Sequence, residues 1–467
     1  VLNKKEIEMS KKKSTDLENG SIGKLLVTLA VPSIIAQIVN LLYNIVDRIF
    51  IGRMPNGDLA MAGIGIITPI VLLVTAFSAL VGFGGSPRVA IKMGQKDNDG
   101  AEEILGNSFS LVIIIGLILT VIFYIFKEPI VMAFGASENT AQYAIDYLSI
   151  YLIGTVFVQV AAGMNPYINT QGFTTIGMIT VAIGAGLNII LDPILIFGFN
   201  MGVKGAAFAT VLSQVMVTLI FIYVFYKMGY RINRKSFKYL EKNSAKEIIK
   251  WGTPSATQNC LFSFFAMLIG RIIAEWGAIP IAVQKVGSQI ESISWMTADG
   301  FSAALTAFVG QNYGAGQYER VKEGYKKTLM LSSILGIFAT GLLIFGGEWL
   351  FSLFINEPEV IKQGADYLRI LGYSQVFMCL EITTTGAFFG VGKTMIPSVI
   401  STIFTGLRVP AALILASSLA LGVDGVWWSI SLSSVVKGIL LVIAFYFMVL
   451  KSFKKLNSEC SCVNSIS

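Results

Sequence analysis

Long apolar stretches make up most of this chain, and they constrain its fold more than any other feature. About twelve of them reach the ~20 residues that an α-helix needs to cross the hydrocarbon core of a bilayer. With 54% hydrophobic and only 13% charged residues, the composition excludes a soluble domain and indicates an all-α integral membrane protein. We predict membrane spans at 24–50, 59–87, 104–126, 140–163, 174–199, 205–227, 247–273, 279–308, 328–346, 364–390, 395–420 and 425–450.

The two halves of the sequence match each other at an offset of about 220 residues, which indicates an internal duplication. Because each half has six spans, both halves enter the membrane from the same side, as in transporters built from parallel repeats. We therefore predict two six-helix bundles in a 6+6 parallel repeat. The matches include Val31-Pro32-Ser33 with Thr253-Pro254-Ser255, Phe77-Ser78-Ala79 with Phe301-Ser302-Ala303, Asp146-Tyr147-Leu148 with Asp366-Tyr367-Leu368, and Gly202-Val203-Lys204-Gly205 with Gly422-Val423-Asp424-Gly425.

Positive charge is unevenly distributed along this arrangement. About 25 of the 35 Lys and Arg residues lie in segments on one side of the predicted membrane. Since such segments remain in the cytoplasm, both termini and the linker are predicted to be cytoplasmic, and the net charge of +7 requires no nucleic-acid partner. The predicted regions are an N-terminal segment (1–23, without a signal peptide), an N-lobe (24–228), a linker (229–246), a C-lobe (247–450) and a tail (451–467).

Several classes of function are excluded by what the sequence lacks. The chain has no histidine, which rules out imidazole proton relays and His-based metal sites. It has no G-x-x-x-x-G-K-[ST] motif, so we expect an ion gradient rather than ATP to supply energy. We find no catalytic constellation and predict that the protein is not an enzyme. The expected requirement is a coupling ion, with no other cofactor.

Buried acids in the first half form the most informative group of residues. Asp47 lies in span one, and Asp192 lies in span five, four residues after Asn188 and on the same helix face. Spans one and five run outward and span six runs inward, which places Asp47, Asp192 and Thr210 in the outer half of the membrane. Carboxylate, amide and hydroxyl oxygens are the ligands that small hard cations prefer. The predicted cation-coupling site consists of Asp47, Asn188, Asp192 and Thr210.

This site leaves the identity of the coupling ion open. Sodium would bind the oxygen atoms directly, whereas a proton would be shared between two carboxylates that repel each other when both are ionised. A plainer interpretation pairs Asp47 with its neighbour Arg48 and gives Asp192 the role of capping a kink at Pro193. That interpretation does not explain why Gln37, Asn40 and Asn44 precede Asp47 on one face of the same helix.

A polar stripe lies in span one. Gln37, Asn40 and Asn44 recur at steps of three and four and so share a helix face, and Tyr43 adjoins them. Polar side chains within a span face protein or a wet cavity rather than lipid. The residues predicted to line a substrate cavity are Gln37, Asn40, Tyr43, Asn44, Gln284 and Glu381.

The second half does not repeat the acidic site. Arg408 stands at the position that corresponds to Asn188, and Ala412 at the position that corresponds to Asp192. Ion pairing of Glu381, for instance with Arg408, is as reasonable an interpretation of the buried charges as substrate binding. The polar residues of this half are Gln284, Lys285, Glu291, Asp299, Glu381 and Arg408.

Together these motifs resemble those of the multidrug and toxic compound extrusion (MATE) exporters, of the bacterial branch and the MepA type. The resemblance covers essentially the whole chain. In bacterial relatives, the residues that match the four predicted cation ligands form a cation site in the N-lobe. Span seven has no acidic residue within 260–267, unlike NorM-type relatives, so the resemblance implies no sodium site there. The motifs that carry it are Pro32, Asn44-Ile45-Val46-Asp47 with Ile51-Gly52, Asn188 with Asp192-Pro193, Gly202 to Gly205, and Thr210.

The resemblance implies a drug antiporter with two lobes in a V shape, in the inner membrane of a bacterium. It would act as a monomer among membrane lipids and export lipophilic, mostly cationic drugs in exchange for H⁺ or Na⁺. A flippase for lipid-linked precursors is the nearest rival. Such a protein is expected to have a strongly cationic cavity, whereas the first half of this chain offers buried acids.

Overall fold

The computed structural model describes residues 17, 20–227, 241–418 and 421–453. Within these ranges all regular secondary structure is helical. Most of the predicted N-terminal segment, linker and C-terminal tail lies outside the described residues. Each predicted span overlaps a described helix or pair of helices, and several helices extend beyond the predicted bounds; the helix that begins at Tyr318, for example, starts before the predicted 328.

In the first half, the predicted span four is bent rather than straight: α4 and α5 meet at an angle of 62°. A π-helical turn, Ile194–Gly198, follows directly after Pro193, which ends α6. The helices of this half are α1 (Ile22–Gly52), α2 (Gly57–Gly94), α3 (Asn98–Ala133), α4 (Glu138–Ile153), α5 (Thr155–Thr170), α6 (Thr174–Pro193) and α7 (Val203–Lys227).

The second half follows the same order, with breaks in the spans that correspond to spans four and five. A π-helical turn, Ile414–Ser418, follows α15, and another, Tyr446–Leu450, follows α16. The helices are α8 (Lys242–Ala274), α9 (Ala278–Gly314), α10 (Tyr318–Phe345), α11 (Gly347–Ser352), α12 (Pro358–Gly372), α13 (Gln375–Gly390), α14 (Met395–Gly406), α15 (Arg408–Leu413) and α16 (Val423–Phe445).

Backbone geometry supports the internal duplication. Gly202 and Gly422 have φ angles of 58° and 59°, and Gly172 and Gly392 have φ angles of 82° and 78°. These left-handed conformations favour glycine, which has no Cβ to clash. Together with the paired π-helical turns after α6 and α15, they confirm the 6+6 repeat and the all-helical membrane fold.

Not every predicted span is apolar enough to be recognised by composition alone. In the described ranges, nine helices can cross a membrane by length and composition, or ten if α4 and α5 form one bent span. The predicted spans missing from this group lie in α9 and in α12 with α13. The first of these carries Lys285, Glu291 and Asp299, and the second carries Glu381, so charged residues lower their mean hydropathy.

The chain divides into two compact units, which exchange the beginnings of two helices. The first unit contains Val31–Ala256, and the second contains Leu17–Ala30 and the described residues from Thr257 onward. The start of α1 thus belongs to the second unit, and the start of α8 belongs to the first. The division in α1 falls beside Pro32, the proline inside that helix.

Specific contacts hold both exchanged segments. In the second unit, Arg320 Nη2 donates to the backbone oxygens of Leu17 and Gly20, at 3.2 and 3.0 Å. In the first unit, Arg88 forms a 2.8 Å ion pair with Glu247 of α8. Close backbone packing also requires glycine there, because a Cβ on Gly252 would lie 1.8 Å from the backbone oxygen of Leu80.

Among the described residues, the apolar core of the first unit includes two clusters. One surrounds Leu105, Met164 and Phe221. The other surrounds Ile67 and Leu148 and includes Ile51 of α1, Tyr147 of α4 and Ile196 of the π-helical turn after α6. This second cluster therefore packs against the ends of the two helices that carry the buried acids.

Candidate cation site

Helix α6 places the most deeply buried acid of the first unit. Asp192 is 0% exposed and Asn188, one turn earlier on the same face, is 2% exposed. With the Asn188 amide oriented to satisfy both of its ends, Nδ2 donates to Asp192 Oδ2 at 3.2 Å, and Oδ1 accepts the backbone N–H of Thr210 at 3.3 Å. The asparagine therefore links the carboxylate on α6 to the beginning of α7.

Helix α1 brings a second carboxyl group to the same place. The carboxyl groups of Asp47 and Asp192 lie within hydrogen-bonding reach of each other. Asp47 Oδ1 is buried and receives no hydrogen bond from the described residues. Two ionised carboxylates cannot donate to one another, so this contact is stable only if a proton or another cation lies between them.

Three tyrosines surround the acid pair. Tyr43 precedes Asp47 by one turn of α1, and Tyr147 on α4 lies near Asp47 and the Thr210 side chain. Tyr151 stacks on Tyr147 with ring centroids 6.2 Å apart. Sequence reasoning missed Tyr147 and Tyr151, although Tyr147 belongs to the repeated Asp-Tyr-Leu motif and Tyr151 follows at the four-residue spacing that aligns helix neighbours.

The acids have no basic partner in the part of the first unit that the structure describes. Arg48 attracts Asp47 electrostatically, but no described salt bridge joins Asp47 or Asp192 to a lysine or arginine. The plainer interpretation, an Asp47–Arg48 pair, therefore lacks a direct contact. Instead, the site collects two carboxyl groups, an amide, a threonine hydroxyl and tyrosine hydroxyls.

The predicted cavity residues of α1 have mixed environments. Gln37, Asn40 and Tyr43 are half-buried, whereas Asn44 is exposed and its Nδ2 donates to the backbone oxygen of Asn40 at 2.7 Å. Tyr43 is the member of this group that lies in the electrostatic field of both aspartates. A role of these residues in substrate binding stays a prediction.

Glu381 in the second unit is ion-paired, but its partner is not Arg408, the example considered from the sequence. Glu381 Oε1 instead forms a 2.9 Å ion pair with Lys437 Nζ on α16 and accepts a hydrogen bond from Ser401 Oγ at 3.0 Å. Arg408 donates from Nε to Ser433 and from Nη2 to Ser434. Two hydroxyls on α16 therefore bind the guanidinium, while the flexible lysine stem reaches the carboxylate.

The other polar residues of the second unit differ in their contacts and exposure. Glu291 accepts a 3.0 Å hydrogen bond from Gln375 Nε2, and Lys285 is exposed. Gln284 is half-buried, and its Oε1 has no hydrogen-bond partner among the described residues. Sequence reasoning missed Lys437 and Gln375. A lysine inside the apolar stretch of span twelve was the available signal for Lys437.

Comparison with known proteins agrees with this fold over nearly the full chain. A family model described as MatE matches residues 32–194 and 254–414, one match in each half. A Thermotoga maritima protein named "Probable multidrug resistance protein NorM" is 30% identical over 417 residues, which cover 87% of this chain and 88% of that protein. The Staphylococcus haemolyticus "Multidrug export protein MepA" is 25% identical over 92% of this chain and 94% of its own length.

Solved structures show the same similarity. A structure described as an outward-facing conformation of a multidrug resistance MATE family transporter superposes with a TM-score of 0.89 at 25% identity, covering 95% of this chain and 99% of that one. A MOP superfamily transporter from Pyrococcus furiosus superposes with a TM-score of 0.88 at 24% identity, which supports the fold. The chain therefore belongs to the MatE family and is a multi-pass membrane exporter of the MATE type, not an enzyme.

Proposed function

We propose that this exporter is an antiporter that expels lipophilic, mostly cationic drugs in exchange for H⁺ or Na⁺ bound between Asp47 and Asp192. The observation that carries this proposal is the contact between two buried carboxyl groups without a basic partner in the described part of the unit. Such a pair requires a cation from outside the protein, because burying unpaired like charges is costly.

The surrounding groups suit a monovalent cation. Two carboxyl groups, the Asn188 amide and the Thr210 hydroxyl supply oxygen atoms for Na⁺. The same carboxyl groups could share a single H⁺, with the Asn188 amide donating to Asp192. In both cases, binding of the ion neutralises charge that would otherwise attract a cationic drug.

A conformational step would connect ion binding to drug release. Asp47 lies on α1, the helix whose first turns belong to the second unit and whose remainder belongs to the first. Pro32 lies beside this division and weakens the helix there by removing a backbone hydrogen bond. Neutralising Asp47 would change the preferred bend of α1, shrink the cavity beside it and expel the drug, after which inward opening would release the ion.

The distribution of positive charge indicates how the protein is oriented in the membrane. Given the excess of Lys and Arg in the loops on one side, we place both termini in the cytoplasm and the protein in the inner membrane of a bacterium. The names of two relatives contain the word "multidrug", which supports drugs as the substrates of this exporter. We propose that it works as a monomer among membrane lipids, with no cofactor other than the coupling ion.

A lipid-linked-precursor flippase is the competing function. Its diphosphate substrate would require a cationic pocket. The buried acids of the first unit oppose that requirement, and the basic residues Arg408 and Lys437 of the second unit are engaged by serines and by Glu381. The antiporter is therefore the better-supported proposal.

Reciprocal binding tests this function. A ligand and an ion that compete through one site must weaken each other by the same factor, typically about 5- to 150-fold. In purified protein, the Kd of an ethidium-like dye should rise by a factor in this range as sodium is added or as the pH is lowered. Asp47→Asn should remove this dependence because the substituted amide cannot be neutralised by a cation.

Asp58→Asn provides the matched control. Asp58 is an exposed aspartate in the first turn of α2, outside the acid pair, so the variant should keep the ion dependence of the wild type. A dye Kd that does not respond to sodium or to pH in the wild-type protein would refute the antiport mechanism. Movement of a lipid-linked precursor across the bilayer, without dye efflux, would favour the flippase.

A further inference from the structure

The second unit contains a buried ion pair that has no counterpart in the described part of the first unit. Lys437 Nζ lies 2.9 Å from Glu381 Oε1, and the two side chains are only 6% and 10% exposed. A buried lysine is retained in such a place only when a carboxylate compensates for the loss of hydration. The ammonium group therefore already supplies Glu381 with the positive charge that its burial requires.

The oxygen atoms around Glu381 resemble those of a cation site. Ser401 on α14 donates to Glu381 Oε1 at 3.0 Å. Ser398 lies one turn earlier on the same helix face, is 2% exposed, and has no hydrogen-bond partner for its hydroxyl among the described residues. The Glu381 carboxylate, the Ser401 hydroxyl and the unpartnered Ser398 hydroxyl on the same helix face are hard oxygen ligands of the kind that a monovalent cation binds.

The other charges nearby do not compete with Lys437 for this role. Arg408 acts on Glu381 at longer range, but its guanidinium donates to Ser433 and Ser434. Glu291 accepts from Gln375. The four charged groups Glu291, Glu381, Arg408 and Lys437 sum to zero when all are ionised, so this network requires no external ion.

We propose that Glu381, Ser401 and Ser398 form a latent monovalent-cation site in the second unit, which the protein fills with the tethered ammonium of Lys437. Lys437 thereby restricts ion exchange to the acid pair of the first unit and sets the number of ions exchanged per drug molecule. Removal of the lysine opens this site to Na⁺ or H⁺. The inference extends the proposed antiport function, since it concerns how many cations the exporter binds.

Cation counting on purified protein tests the inference. We would measure sodium binding by calorimetry at fixed pH, and proton uptake on acidification, for the wild type, Lys437→Met and Lys437→Arg. Lys437→Met should bind one more cation per protein than the wild type, because Glu381 loses its ammonium partner. Lys437→Arg keeps a tethered positive charge and should show the wild-type count. Lys362→Met, which removes an exposed lysine of the same unit, should also show that count.

The double variant Lys437→Met with Glu381→Gln tests whether the additional cation binds at Glu381. It removes the whole ion pair, and such neutral replacements often preserve stability. It should show the wild-type count, and this count can be measured even if Lys437→Met fails to fold. Loss of one cation in the double variant would mean that Glu381 exchanges an ion in the wild type and would overturn the proposal.

An unchanged count in folded Lys437→Met would overturn it as well. Failure of the antiport proposal itself gives a different result, namely a wild-type dye Kd that ignores both ions. Cation counts in the lysine variants do not depend on the dye, so the two failures can be distinguished.

Discussion

The first unit carries Asn188 and Asp192 on α6, whereas the second unit carries Arg408 and Ala412 at the corresponding positions. Tyr147 and Tyr367 also correspond, and both lie beside buried charge: Tyr147 faces Asp47, and Tyr367 faces Glu291. Duplication thus preserved the backbone and the tyrosine, while the charges that the tyrosine faces diverged.

This difference shows how one fold can divide two tasks. The acid pair of the first unit has no internal cation among the described residues, and in the proposed mechanism it takes up an ion. The second unit balances Glu381 with Lys437 and holds Arg408 on serines, so its network is complete without one. Buried charges with internal partners stabilise a structure, whereas those without partners are available for exchange.

The largest expected effect is the loss of drug efflux when the acid pair of the first unit is disrupted. Asp192→Asn should reduce drug efflux to the level of cells that lack the protein, since it removes a coupling charge while keeping the shape of the side chain. Resistance and dye-efflux assays, with expression verified in membranes, would measure the loss. In the second unit, the double replacement of Glu381 by Gln and Lys437 by Met should leave most of the efflux intact. Wild-type efflux in Asp192→Asn would contradict the proposed site.

In stability, by contrast, a substitution in the second unit should have the larger effect. Arg408→Ala removes hydrogen bonds to two serines and leaves Glu291 and Glu381 with less positive charge, so it should cost about 3 to 5 kcal/mol, as for other broken buried ionic networks. Asn188→Ala removes only neutral-donor contacts and should cost less, about 1 to 3 kcal/mol. Thermal melts in detergent would rank the two variants, and an Arg408→Ala melt equal to that of the wild type would refute the structural role of Arg408.

The smallest expected effect distinguishes the two corresponding tyrosines. Tyr147→Phe removes a hydroxyl near Asp47 and Thr210 and should weaken cation binding by about 0.5 to 1.5 kcal/mol, the usual net worth of one hydrogen bond. Tyr367→Phe should leave cation binding unchanged because its surroundings contain an internally balanced network. Sodium and proton titrations of both variants would test this, and equal losses in the two would show that the units are not functionally distinct.

Much of the candidate site was predictable because helical spacing and span direction restrict where side chains can meet. Asn188 and Asp192 share a face at four-residue spacing, and the depth of Asp47 in span one matched theirs. Tyr147 and Tyr151 were missed because an aromatic side chain in an apolar stretch gives no sign of whether it faces lipid, core or a polar site.

The sequence by itself determined the helical membrane fold, the duplication and the acidic character of the first half, because hydrophobic length, repeat offset and residue type are local properties of the chain. Only the tertiary structure decided which charges became partners. Glu381 met Lys437 rather than Arg408, since α13, α15 and α16 place Ser433 and Ser434 at the guanidinium and the ammonium at the carboxylate. Ion pairs depend on ångström-scale distances between helices that are remote in sequence, and no periodicity within one helix specifies those distances.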